Sequence, residues 1–86
     1  MPALILLVQP DCGLCAAARR WLPALARRAG CSYEECDVRT DPELERRFLL
    51  EVPVVLLDGE PVATPPLIES LVELAVRSRL RARGST

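Results

Sequence analysis

The chain has 86 residues, half of them hydrophobic and 27% charged, with a formal net charge of −1. That is enough for one globular domain, and the near-neutral balance excludes any general attraction to nucleic acid or to an anionic membrane. With neither histidine nor lysine present, His-based acid–base chemistry and His metal ligands are excluded too.

In chain order, residues 3–8 (Ala-Leu-Ile-Leu-Leu-Val) form a continuous apolar run, as expected of a strand buried on both faces. This start lacks the positive flank of a signal peptide and is too short to span a bilayer, so a cytoplasmic location is expected. Gln9-Pro10-Asp11 breaks the run. From Cys12 to about Ala29, Leu14, Ala17, Ala18, Trp21, Leu22, Leu25 and Ala29 recur at helical spacing, with Arg19, Arg20, Arg27 and Arg28 on the wet side. Pro23 removes the bond to the Arg19 carbonyl, which predicts a kink or a break into two helices. Gly30 is the expected C-cap. Residues 31–38 suit a polar second strand at a sheet edge.

Asp41-Pro42-Glu43 carries the cap, the first-position proline and the first-turn acid of a short helix, with Leu44 and Phe48 as its buried stripe. Residues 52–57 predict a third strand, Asp58-Gly59 a two-residue hairpin turn, and residues 60–63 its partner strand, at an edge because Pro61 cannot donate to a ladder. Thr64-Pro65-Pro66 is expected to open a final helix with Leu67, Ile68, Leu71, Leu74 and Ala75 inward. Beyond residue 80 we expect a short basic tail, 81–86, after a single domain spanning 1–80.

The chemistry concentrates in Cys12-Gly13-Leu14-Cys15. Two cysteines three apart at a strand-to-helix junction can close a disulfide across one helical turn. The first then sits where free backbone N–H groups favour a thiolate. Cys12 is the expected exposed nucleophile and Cys15, inside the first turn, the resolving thiol. Asp11 opposes the thiolate and Gly13 loosens the loop. Other readings weigh against this one: a merely structural pair, or zinc held with Cys31 and Cys36 at a spacing close to a ribbon. Cys31 and Cys36 are expected as half-buried strand thiols facing opposite sides of the sheet. Trp21 is expected to pack between helix and sheet.

The order β-α-β-α-β-β-α, with C-x-x-C at the first helix and Val52-Pro53 before the third strand, resembles the thioredoxin/glutaredoxin superfamily. In length, and in its Asp-Pro-Glu-Leu…Val-Pro-Val-Val…Asp-Gly run, it is most similar to the small glutaredoxin-like domain proteins, over residues 3–76. The resemblance implies an α/β fold with a four-stranded mixed sheet flanked by helices. It implies that Pro53 is cis and lies against the active-site disulfide, and that Val52 offers its backbone to substrate. With Gly13 and Leu14 these make the expected substrate-binding set. The implied activity is dithiol–disulfide oxidation and reduction, by a monomer acting on a protein disulfide or glutathione mixed disulfide, with a reductase as donor. The alternative on the same fold is a binding module whose cysteines hold an iron–sulfur cluster or zinc, or are redox-inactive. No cofactor or metal is expected. Glutathione as reductant has little support: the Gly- and Asp-containing turn that grips it in glutaredoxins is replaced here by Val62-Ala63-Thr64-Pro65-Pro66-Leu67. No basic residue stands just before Cys12, where many glutaredoxins carry one.

Overall fold

The computed structural model describes residues 1–84. It contains strands β1 (Ala3–Val8), β2 (Ser32–Asp37), β3 (Val54–Leu57) and β4 (Glu60–Ala63), and helices α1 (Gly13–Arg19), α2 (Leu22–Arg28), α3 (Pro42–Phe48) and α4 (Glu69–Gly84). One sheet holds all four strands in the order β2-β1-β3-β4. β1 runs parallel to β2 and antiparallel to β3, and β3 pairs antiparallel with β4. This is the expected four-stranded mixed sheet, with the polar β2 and the proline-bearing β4 at its edges. No helix among the described residues is long and apolar enough to cross a membrane.

The two-residue period of the central strands divides the core into two layers. Leu4, Leu6 and Val8 of β1, with Val55 and Leu57 of β3, face Cys15, Ala18, Leu22, Leu25, Val72 and Val76 of α1, α2 and α4. Leu7, Val54 and Leu56 point the other way, onto Val38 and Phe48. The uninterrupted apolar runs are therefore explained by helices covering both faces of β1 and β3.

Pro23 divides the first helical stretch. It has no N–H for the Arg19 carbonyl and its ring crowds that oxygen, so α1 closes with tight bonds from Arg20 N–H to Ala17 and Trp21 N–H to Ala18. Trp21 packs half-buried against the larger core layer. α2 ends in the expected glycine cap: Gly30, at φ +75°, donates to the Arg27 carbonyl and Cys31 donates to that of Ala26. Asp41 caps α3 by accepting from the Glu43 and Leu44 N–H groups. Asp58 and Gly59, both at positive φ, close the hairpin as a type I′ turn.

Three boundaries differ from expectation. β2 stops at Asp37, whose carboxylate accepts the Arg39 N–H and starts a 3-10 turn over Val38–Thr40. β3 pairs with β1 only from Val54, because Pro53 has no N–H to give the ladder. α4 begins at Glu69, not directly after Thr64-Pro65-Pro66, since a residue that precedes proline disfavours the helical region. The Val52–Pro53 and Pro65–Pro66 peptide bonds are both cis.

α4 also presents a different face from the expected one. Val72 and Val76 are buried and Leu80 is half-buried, whereas Ile68, Leu71 and Leu74 are 49%, 58% and 60% exposed. Two apolar stripes compete on this helix. The Val72–Val76–Leu80 stripe is flanked by charges with partners across the fold: Glu69 and Glu73 with Arg28 on one side, Arg79 with Glu60 on the other. The helix then continues through Gly84, past the expected fraying point. Arg77 pairs with Glu73, and Arg83 pairs with Asp58, whose carboxylate also accepts the Ala3 N–H at 2.8 Å. Residues 85–86 of the expected tail lie outside the described residues. Val76→Ala should therefore cost about 2 kcal/mol and Leu74→Ala less than about 0.5 kcal/mol, as measured by urea unfolding. Equal costs would show that the helix packs by its leucine stripe.

Candidate active site

Where β1 ends, the chain turns through Asp11 at φ +58°, a left-handed conformation that aspartate tolerates better than most residues. Cys12 follows as the N-cap of α1. Its backbone is extended, its carbonyl accepts the Ala16 N–H at 3.1 Å, and its Sγ accepts the Cys15 N–H at 3.1 Å. An N-cap residue supplies an acceptor to the unpaired N–H groups of the first turn; here that acceptor is sulfur. One helical turn later stands Cys15. The Cα atoms are 5.2 Å apart and the two sulfurs are at bonding distance.

Burial separates the two cysteines. Cys15 is 1% exposed, within the core layer that contains Ala18, Leu22 and Val55. Cys12 is half-buried and lines an open groove of about 540 Å³ with its neighbours in residues 9–13, Ala16 and Arg19. An incoming disulfide can reach Cys12, while Cys15 is reached through Cys12.

The other expected site residues divide. Gly13 lines the groove. Leu14 is 63% exposed and does not line it. Val52 is half-buried and packs against the same core layer as Cys12, and Pro53 is almost fully buried. The Val52 N–H already donates to the Phe48 carbonyl at 3.1 Å. The Val52 N–H is therefore already committed within the fold.

One charged group that lines the groove, Arg19, was not singled out from sequence as a site residue. Arg19 reaches the groove because positions 12, 16 and 19 share one helix face; that spacing was the available signal. Its Nε donates to both Glu35 carboxylate oxygens, at 3.0 and 2.8 Å, and the Tyr33 hydroxyl donates to Glu35 at 3.0 Å. Arg19 holds the Glu35 carboxyl below its ordinary range, although partial burial opposes this. Burial, followed by the Glu35 hydrogen bond, pushes the Tyr33 hydroxyl well up. Arg39, held by Asp37, also feels the charge of Asp11.

The remaining cysteines do not join the pair. Cys31 is buried in the same layer as Cys15, where burial, then the Asp58 charge, pushes its thiol up. Cys36 packs on the opposite layer. Among the described residues no group of three or more Cys, Asp or Glu side chains is gathered as a metal site, so the four-cysteine zinc arrangement is not assembled. Cys31 is buried and lies just before β2, not half-buried within the strand as expected, in the layer of Cys15, whereas Cys36 lies within β2 against the opposite layer.

A family model described as Glutaredoxin-like domain matches residues 3–79. No curated protein matches the chain. Among solved structures, one described as "Structure of a malarial protein" superposes with a TM-score of 0.63, covering 92% of this chain and 96% of that one at 15% identity. At that identity the likeness shows a shared fold alone.

Proposed function

Because the chain belongs to the glutaredoxin-like domain family, we propose that it is a dithiol–disulfide oxidoreductase working through Cys12 and Cys15. One observation carries this reading: two cysteines at bonding distance at a helix start, one opening on a groove and the other sealed in the core.

In the reducing direction, the Cys12 thiolate attacks one sulfur of a substrate disulfide. The substrate S–S bond breaks, its second sulfur leaves as a thiolate and takes a proton, and Cys12 is left in a mixed disulfide. The Cys15 thiolate then attacks the Cys12 sulfur, and the remaining substrate thiol departs with a proton. The substrate gains two electrons and two protons, and the Cys12–Cys15 disulfide holds the oxidised equivalent until an external dithiol or reductase restores it. Cys15 needs only a small approach, since its own N–H already touches the Cys12 sulfur. The reading includes a cytoplasmic setting, a monomer, and a disulfide-bearing protein or mixed disulfide as substrate.

Thiol counting on purified protein, with and without dithiothreitol, together with metal analysis and a visible spectrum, tests it. Two further thiols should appear on reduction, beside those of Cys31 and Cys36, with no bound metal. A brown colour, or stoichiometric zinc, would replace the enzyme by a metal-binding module. We further propose that glutathione alone is a poor reductant, because residues 62–67 lack the Gly- and Asp-bearing turn that would grip it. A coupled assay should give weak turnover with glutathione and faster turnover with a dithiol donor. A KM for glutathione in the ordinary glutaredoxin range would overturn that expectation.

A further inference from the structure

The groove beside Cys12 contains an arginine whose position is prepared and whose donors are only partly used. Arg19 closes α1, and its Nε is committed to the Glu35 carboxylate on β2, which the Tyr33 hydroxyl holds in turn. Among the described residues its two terminal nitrogens have no hydrogen-bond partner, and its side chain is 47% exposed. A guanidinium fixed by one edge and open along the other presents a fork that matches a carboxylate.

The position fits a peptide lying across Cys12. Seven residues of helix advance about 10 Å, and helical side chains lean back toward the N-terminus, which shortens that span. In an extended peptide, side chains two residues apart share a face at about 6.8 Å. The groove is also polarised along its length. Asp11 lines it next to Cys12 at one end, and Arg19 lines it seven residues further along the chain. A substrate carboxylate would be repelled at the first end and accepted at the second.

We infer that Arg19 is a substrate-binding residue that selects disulfides carrying a carboxylate two residues from the reacting cysteine, held by its two terminal nitrogens. This rests on the redox reading of Cys12. Glu35 acts as a positioning residue: it orients the fork and cancels much of the local charge. The selectivity is therefore one of close hydrogen-bonded geometry more than of long-range attraction.

The test uses two synthetic peptides, each a mixed disulfide with 2-mercaptoethanol, with either Glu or Gln placed two residues to both sides of the cysteine. The reduced full-length protein is mixed with each in a single turnover. The Glu peptide should react about fivefold faster. Arg19→Gln should bring the ratio to about one, and Arg19→Lys, which keeps the charge without the fork, to about two. Circular dichroism reports whether each variant keeps its fold, and where Arg19→Gln does not fold, Arg19→Lys decides. Equal rates in the unsubstituted protein, or a fivefold ratio that survives substitution, overturn the inference and leave the redox reading standing. Reduction of neither peptide overturns the redox reading, and the inference with it.

Discussion

Cys12→Ser should reduce disulfide-reductase activity to background, whereas Cys15→Ser should give a protein that reacts once and stays attached to its substrate. The difference follows from burial. Cys12 opens on the groove and Cys15 is sealed beneath it, so only the first can meet an external disulfide. Without Cys12 no substrate sulfur can be attacked at all. Without Cys15 the first exchange proceeds, but the internal thiolate that would release the product is missing, and the mixed disulfide accumulates. Non-reducing gels and intact-mass measurement should show a substrate adduct on Cys12 in Cys15→Ser and none in Cys12→Ser. A helix-start thiol ionises more readily than the roughly 8.5 of a free cysteine, so Cys12 should also be the faster thiol toward iodoacetamide in the reduced protein. If Cys15 alkylates first, the two roles are reversed.

The largest loss of stability is expected from Leu6→Ala. Leu6 is fully buried in central strand β1, in the layer that also holds Cys15, Leu22, Leu25 and Val76. Removing its three outer carbons leaves a cavity among elements that other contacts hold apart, at a cost of roughly 2–5 kcal/mol. A domain of this size has a total stability of roughly 4–13 kcal/mol, so a third or more of it could be lost. At about 4–8 °C per kcal/mol, the melting temperature should fall by about 8 °C or more. Leu50→Ala is the control: Leu50 is 98% exposed, and its truncation should change stability by less than about 0.5 kcal/mol. Thermal and urea unfolding of the two variants measure the contrast, and similar shifts would mean that the core is not centred on β1.

The chain-local features were legible because their causes are local. Pro23 splits a helix wherever it is placed in one. Asp41-Pro42, Gly30 and Asp58-Gly59 each meet a backbone requirement of their own segment, a cap or a positive φ. The apolar run at residues 3–8 read as a doubly covered strand because no position in it needs to face water, and residues 52–57 read as a strand. The Cys12–Cys15 pair was legible for the same reason: one turn of helix suffices to bring the two sulfurs together.

What the sequence left open was decided by contacts between distant segments. α4 carries two apolar stripes of similar strength, and periodicity alone cannot rank them. The choice falls to Val72 and Val76 where the helix meets the sheet and where Arg28, Glu60 and Asp58 meet its charged flanks. Those same long-range pairs accompany the helix to Gly84, where the sequence beyond residue 80 had indicated only a short basic tail. At Val52 the N–H is taken by Phe48, a partner supplied by the turn after α3. Arg19 looked like one more wet-side arginine because its meaning depends on Glu35, sixteen residues away on a neighbouring strand. By itself, then, the sequence determined the order of elements, their caps and breaks, and the pairing of Cys12 with Cys15, all set within one or two turns of chain. Tertiary structure decided which helix face is buried, which cysteine is sealed and which charges border the groove, because burial and ion pairing depend on what the rest of the fold brings alongside.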